Sequence, residues 1–230
     1  MAYYRRRLAR VHAQDYTDYA RAAGALLRRT ASPGLVVDLG CGAGDLSAEL
    51  DEQWDYLGID DSPDMLSLAR QRHPGRRFEQ ASALDPPPVG AAAVVAIGEV
   101  LNYATDAAGL VAWARAARAA LAPEGILLVD VAGPLRADPQ PRTRVHTGAG
   151  YRLEVTVRTD PSRRTLTREI SVSDAEGDDR EVHVLNLVEP VEVLAALHAA
   201  GFEVTPLTGY GELAFPRGWS GFLGRVILDS

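Results

Sequence analysis

Between Leu35 and Val131 the chain alternates short, apolar runs with longer amphipathic ones, and few architectures tolerate that order. Leu35 to Leu39, Tyr56 to Asp60, Ala92 to Ile97 and Ile126 to Val131 read as strands, with Arg77 to Gln80 a weaker one among them. Asp45 to Glu52, Pro63 to about His73 and Asp106 to Leu121 read as the intervening helices. Apolar strands of this kind are buried on both faces, and strands joined through helices run parallel by right-handed crossovers. The expected fold is α/β, with a doubly wound parallel sheet.

The punctuation agrees. Ser62-Pro63-Asp64 supplies an N-cap, a proline at the first helical position and an acid in the first turn, Pro74-Gly75 ends that helix, and Pro123-Glu124-Gly125 ends the next. Upstream, Tyr3 to Arg29 contains no proline and places Leu8, Val11, Tyr16, Tyr19, Ala23, Leu26 and Leu27 at helical spacing, which predicts one or two helices. Downstream, Pro139-Gln140-Pro141 reads as a linker. Arg152 to Arg158, Thr165 to Ser173 and Glu181 to Leu187 then alternate with period two across turn residues, predicting an antiparallel meander. Glu189 to Ala200 returns to helix, and Phe202 to Pro206 and Gly221 to Leu228 to strand.

With 230 residues, 47% of them hydrophobic, the chain has enough for one domain with a sizeable core. A formal charge of -7 argues against a general affinity for nucleic acid or for an anionic membrane, since no excess of Lys and Arg exists to displace counterions. Arg5-Arg6-Arg7 with Arg10 reads as a solvated helix face. The single cysteine, Cys41, excludes an internal disulfide and a Cys-rich zinc site, and no apolar stretch follows the basic start, so a soluble cytoplasmic protein is expected.

Gly40, Gly42 and Gly44 follow the first strand, where a doubly wound sheet binds its ligand. The spacing is G-x-G-x-G, whereas a dinucleotide fingerprint is G-x-G-x-x-G, and Asp45 sets a carboxylate where a pyrophosphate would lie. Asp60 ends the second strand, placed to accept hydrogen bonds from both hydroxyls of a ribose. Asp61 beside it caps, faces solvent or joins the same site.

VVDLGCGAGD followed by YLGIDDSPDML resembles the first two motifs of class I S-adenosylmethionine-dependent methyltransferases. AIGEVLNY resembles the motif at their fourth strand and PEGILLVD the fifth, so the likeness runs from about Leu35 to Val131, more weakly through AAGFEV. It implies a Rossmann-like seven-stranded sheet whose last strand is antiparallel, with an N-terminal helical lid and a small antiparallel β insertion after strand five. The whole chain, 1–230, would be one methyltransferase domain: a lid over 1–30, a cofactor half over 35–133, a β cap over 145–188, and 189–230 completing the sheet.

By position, the resemblance gives Asp38 the amino group of the methionine moiety, over the backbone of Gly40, Cys41 and Gly42. Asp60 takes the ribose, with Met65 and Ser62 nearby. Where the family often has an acid for the adenine amino group, Ala81-Ser82-Ala83 stands, leaving Ser82 as a neutral acceptor beside Ala83. Ile97 and Gly98 border adenosine and sulfonium with main chain. Cys41 is read as packing under the ligand rather than as a nucleophile.

Methyl transfer is an in-line displacement at an activated carbon, needing alignment and, for a protonated nucleophile, a base. Glu99, beside Asn102 and Tyr103, divides evenly between acid/base work and capping the next turn. VHAQDYTDYA resembles the lid helices of related enzymes. On it His12 is the favoured base and Tyr16 shares its helical face, while Tyr16 or Tyr19 would reach the methionine carboxylate or pack. His183 and Tyr151 fall on the meander; His146, Tyr210 and Arg217 are weaker candidates. No His and carboxylate cluster has metal-ligand spacing, so no metal is expected. The expected partner is a small-molecule methyl acceptor at an O or N nucleophile, with no nucleic acid and no membrane, the protein being a monomer or homodimer. The alternatives are a non-catalytic binder of S-adenosylmethionine or S-adenosylhomocysteine, and an NAD-linked oxidoreductase.

Overall fold

The structure, a computed structural model, describes residues 3–12, 17–103, 107–138, 140–148 and 150–227. They contain a seven-stranded sheet built from β1 (Leu35–Leu39), β2 (Asp55–Asp60), β3 (Arg77–Gln80), β4 (Ala91–Ala96), β5 (Leu121–Ala132), β10 (Phe202–Leu207) and β13 (Trp219–Val226). Its order is β10-β13-β5-β4-β1-β2-β3. β1 pairs in parallel with β2 and β4, and β13 lies antiparallel to both β5 and β10. This is the expected α/β arrangement with its last strand reversed.

Period-two geometry explains why the central strands read as unbroken apolar runs. Val37 and Leu39 of β1, Ile59 of β2, Val94 of β4 and Leu127 and Val129 of β5 face one layer, with Trp113 and Ala117 of α4 (Ala107–Ala120) and Val193 and Leu197 of α5 (Pro190–Ala199). Val36, Tyr56, Val95 and Leu128 face the other, with Ala23 and Leu27 of α2 (Thr17–Thr30) and Leu66 and Ala69 of α3 (Pro63–Arg72). α3 begins as its sequence requires: the Ser62 hydroxyl accepts from the Met65 N–H at 3.2 Å, ahead of Pro63.

Besides a short hairpin of β11 (Gly209–Tyr210) and β12 (Leu213–Ala214), two elements differ from expectation. Asp45 to Glu52 is not an α-helix but a 3₁₀ turn over Asp45–Glu49. The Arg76 guanidinium reaches into this region, donating to the carbonyls of Leu50 and, at 2.6 Å, Trp54, so groups that a longer helix would have satisfied are satisfied by a side chain. The insertion after β5 has four strands rather than three: β6 (Arg142–Gly148), β7 (Tyr151–Asp160), β8 (Thr165–Asp174) and β9 (Gly177–Asn186), paired antiparallel in sequence order. β6 is an exposed edge, so its residues carry no alternation to read.

The first helix, α1 (Arg6–His12), lies on this cap through Leu8 and Val11, which pack with Ile170 and Val172. Arg7 fixes it further, donating from Nε to Asp174 at 2.8 Å. No helix among the described residues is long and apolar enough to cross a membrane.

Candidate functional site

Strand order reverses between β1 and β4, so their carboxyl ends open a crevice. There the glycine loop turns back. Gly40, Gly42 and Gly44 have φ of 71°, 52° and 80°, the left-handed region that side chains avoid. At Gly40 a Cβ would also meet a Val100 methyl at 2.6 Å. The N–H groups of Gly40 and Cys41 both donate to the Ile59 carbonyl, locking the loop to β2.

Asp60, at the end of β2, accepts from the Gly42 N–H on one oxygen and the Ser62 N–H on the other, each at 2.9 Å. Both oxygens keep a lone pair for a further donor. Asp38 is buried and accepts from the Tyr56 hydroxyl at 2.6 Å; burial, with Asp60 and Asp45 adding, pushes its carboxyl up to about 7. Cys41 is buried against Gly58, and burial holds its thiol well above its ordinary value, which suits packing rather than nucleophilic attack.

These groups floor a cavity of about 460 Å³. It is lined by every described residue expected to hold cofactor: Asp38, Gly40, Cys41, Gly42, Asp60, Asp61, Met65, Ser82, Ala83, Ile97, Gly98 and Tyr19. Ser82 spends its hydroxyl locally, accepting from the Leu84 N–H at 3.2 Å. The acids among the described lining residues are Asp38, Asp45, Asp60 and Asp61, all on the floor, and Arg168 is the guanidinium, on the cap. Asp45 is ion-paired with Arg72 at 2.8 Å, and the remaining acids, Asp38, Asp60 and Asp61, around a side-chain-free backbone fit a cation and hydroxyls better than a pyrophosphate.

The opposite wall comes from the N-terminus and cap: Tyr3, Tyr4, His12, Tyr103, Arg168 and Val184. Glu181 on β9 holds the N-terminal segment there, accepting from the N–H groups of Tyr4 at 2.8 Å and Arg5 at 2.7 Å. The Ser62 hydroxyl donates to the Tyr4 carbonyl at 2.9 Å, joining that segment to the floor.

Asp130, at the end of β5, is the hub between floor and wall, and sequence reasoning passed over it. Fully buried, it accepts from the N–H groups of Gly98 and Glu99 and from the hydroxyls of Tyr19 at 2.6 Å and Tyr210 at 2.8 Å. An acid closing the apolar run ILLVD was the available signal. Tyr19 thus lines the cavity while its hydroxyl is committed to Asp130.

Glu99 is brought to the wall in an unexpected way. It has φ of 67°, is 2% exposed, and forms an ion pair with Arg168, with Arg136 at 3.4 Å. Asn102 is buried among main chain, donating to the carbonyls of Ala132 and Asn186 at 2.7 and 2.6 Å. His12 packs on the Tyr4 ring at 4.2 Å, and burial, followed by Arg168 and His183, lowers its imidazole to about 3. Tyr16 and Asp15 lie outside the described residues. Tyr151 packs under α1 instead of facing the cavity, His146 sits beside it on the cap, and Arg217 is exposed. No group of three or more His, Cys, Asp or Glu suited to a metal occurs among the described residues.

Residues 36–125 match the family described as Methyltransferase domain. Over those residues the chain carries a methyltransferase domain, and the whole described chain has the fold of class I S-adenosylmethionine-dependent methyltransferases. A solved S-adenosylmethionine-dependent methyltransferase from Clostridium acetobutylicum superposes with a TM-score of 0.79 at 15% identity, covering 94% of this chain and 97% of that one. A sugar N-methyltransferase from a Streptoalloteichus species gives 0.74 at 26% identity, covering 95% and 90%. The trans-aconitate 2-methyltransferase of an Acidovorax strain is 37% identical over 120 residues, 50% of this chain and 45% of that protein, so the chain spans less than half the length of this relative. The methyltransferase domain takes S-adenosylmethionine as cofactor, and the acidic floor suits it.

Proposed function

We propose that the protein transfers a methyl group from S-adenosylmethionine to an oxygen or nitrogen nucleophile of a small molecule. The observation that carries this reading is a single cavity running from the glycine loop to the aromatic wall of the cap. Its floor has the hydrogen-bond acceptors for the cofactor's amino group and ribose, and its wall the apolar area to hold a methyl acceptor. When bound, the cofactor supplies an electrophilic methyl carbon. Asp38 holds its amino group, Asp60 its ribose, and the left-handed backbone at Gly40 and Gly42 lets main chain approach it. Met65, Ala83, Ile97 and Gly98 border the adenosine; Asp61 and Ser82 are placed at its rim. Tyr19, tied to Asp130, positions the loop carrying Gly98 and Glu99.

Within the acceptor wall, Glu99 neutralises Arg168, so the wall presents little net charge. That favours a neutral or amine-bearing acceptor over the tricarboxylate that the name of the Acidovorax relative implies for that enzyme. A ring as reluctant to protonate as His12 serves the wall as a neutral surface. Unit 1–230 works as one domain, with 1–30 as lid and 145–188 as acceptor cap.

Calorimetry with S-adenosylmethionine, then incubation with methyl-labelled cofactor and two probes, trans-aconitate and a nucleotide-linked amino sugar, tests this. Saturable cofactor binding and label on the amino sugar are expected. Saturable NADH binding with none for S-adenosylmethionine would overturn the assignment, and label on trans-aconitate would overturn the acceptor preference.

A further inference from the structure

Tyr103, His183 and Glu181 form a hydrogen-bonded chain that the reading above leaves unused. Tyr103 closes the 3₁₀ turn Val100–Tyr103 after β4 and lines the cavity. Its hydroxyl lies 3.1 Å from Nδ1 of His183, and Nε2 of that ring lies 3.0 Å from Oε2 of Glu181. His183 is wholly buried and Glu181 nearly so. The rings of Tyr3 and Tyr4 pack on the imidazole at 4.3 and 4.7 Å, shutting it from water.

The chain has a direction. Glu181 also accepts the N–H groups of Tyr4 and Arg5. Burial pushes its carboxyl up, but the bonds from His183 and these two N–H groups outweigh it and hold the group below its ordinary value. An ionised carboxylate only accepts, which assigns the imidazole proton to Nε2 and leaves Nδ1 to accept from the Tyr103 hydroxyl. A phenol oxygen donating inward keeps lone pairs: one serves the hydrogen bond with Tyr4, and the other is available to the cavity.

We propose that Tyr103, His183 and Glu181 are a proton relay for the methyl acceptor: Tyr103 the catalytic residue, His183 the proton store, Glu181 the positioning residue. This rests on the methyltransferase reading. The acceptor donates its O–H or N–H hydrogen bond to the Tyr103 oxygen. As its oxygen or nitrogen bonds to the methyl carbon, the methyl–sulfur bond breaks and that electron pair stays on sulfur. The acceptor's proton passes to the Tyr103 oxygen, the Tyr103 proton passes to Nδ1 of His183, and the imidazolium pairs with Glu181. The proton leaves to water when the site opens. The logic is that of a buried carboxylate orienting an imidazole, with tyrosine as the group that meets substrate.

The surroundings leave the role to His183. Facing it are Glu181 on its own strand, Arg168 directly opposite on β8, Tyr103 from the loop after β4, and His12, Tyr3 and Tyr4 from the N-terminal segment, while Glu99 acts on Tyr103. Glu99 is ion-paired with Arg168, and His12 is held neutral.

Nitrogen NMR of the full chain labelled in its histidines tests the direction without an acceptor. At neutral pH the expected form of His183, assigned through His183→Gln, is the neutral Nε2–H tautomer, with its Nδ1 resonance shifted in Tyr103→Phe. An Nδ1–H tautomer, or an imidazolium in the free protein, would overturn the relay. With whichever probe accepts label, Tyr103→Phe is expected to lower kcat by about 100-fold, with KM and cofactor affinity within about twofold. His183→Gln, which still donates to Glu181, should lower kcat to a similar extent while keeping its thermal midpoint and its cofactor affinity. Unchanged kcat in both variants would overturn the proposal. Failure of the wild-type protein to bind S-adenosylmethionine would instead overturn the methyltransferase reading, which separates the two.

Discussion

The floor and the roof of the cavity are built by different means. The floor joins neighbours in sequence: Gly42 and Asp60 are 18 residues apart, and backbone sterics at three glycines decide its shape. The roof joins distant groups through charge, with Arg7 to Asp174 spanning 167 residues, Tyr4 to Glu181 spanning 177, and Arg168 to Glu99 spanning 69. A floor of glycine backbone and nearby aspartates is set by local sequence. A roof made of paired side chains on a separate sheet can be rebuilt for another acceptor while the floor stands.

Variants that break one half should therefore spare the other. The largest effect is expected from Glu99→Gln, which removes the buried carboxylate that pairs with Arg168 and Arg136 in a partly buried wall. Chemical denaturation should show a loss of about 3 kcal/mol, most of it recovered in Glu99→Gln with Arg168→Met, while S-adenosylmethionine affinity changes little. On the floor, Asp60→Ala should weaken cofactor binding by calorimetry by about 2 kcal/mol, more than tenfold, with the KM for the acceptor unmoved.

A smaller and opposite effect is expected at Asp38. Its carboxyl is raised to about 7 in the folded protein, above its unfolded value, so between those two values the folded state holds a proton that the unfolded state has lost. Stability therefore falls as pH rises through that window. Asp38→Asn keeps an acceptor for the Tyr56 hydroxyl without the buried charge. It should raise the thermal midpoint at pH 7.5 by about 3 °C while weakening cofactor binding by about tenfold. Least of all, Arg152→Ala, which removes an exposed pair with Glu154 on the cap, should shift stability by under about 0.5 kcal/mol. A larger loss there would mean that the exposed pairs also hold the roof.

The same division explains what the sequence disclosed. The strands, the capped start of α3 and the glycine loop rest on local rules, and Asp60 follows from the loop by a fixed offset. β6 was hidden because an exposed edge strand held by backbone bonds to β7 needs no apolar alternation. The segment after Glu49 departs from its helical composition where Arg76, far along the chain, takes the carbonyls of Leu50 and Trp54. Arg168, Glu181 and Asp130 escaped notice since each matters through partners that only the folded chain supplies. Tyr103 and His183 were visible as residues, but their pairing across 80 positions was not.

On the proposed function, the acidic floor receives a cation through the carboxylate of Asp38. The direct measurement is S-adenosylmethionine affinity by calorimetry between pH 5.5 and 7.5. Because the free protein holds Asp38 protonated below about 7, binding should weaken by up to about tenfold per unit as pH falls beneath that value and level off near pH 7.5. The dependence should vanish in Asp38→Asn. An affinity independent of pH in the wild-type protein, or the same dependence retained in the variant, would contradict the account.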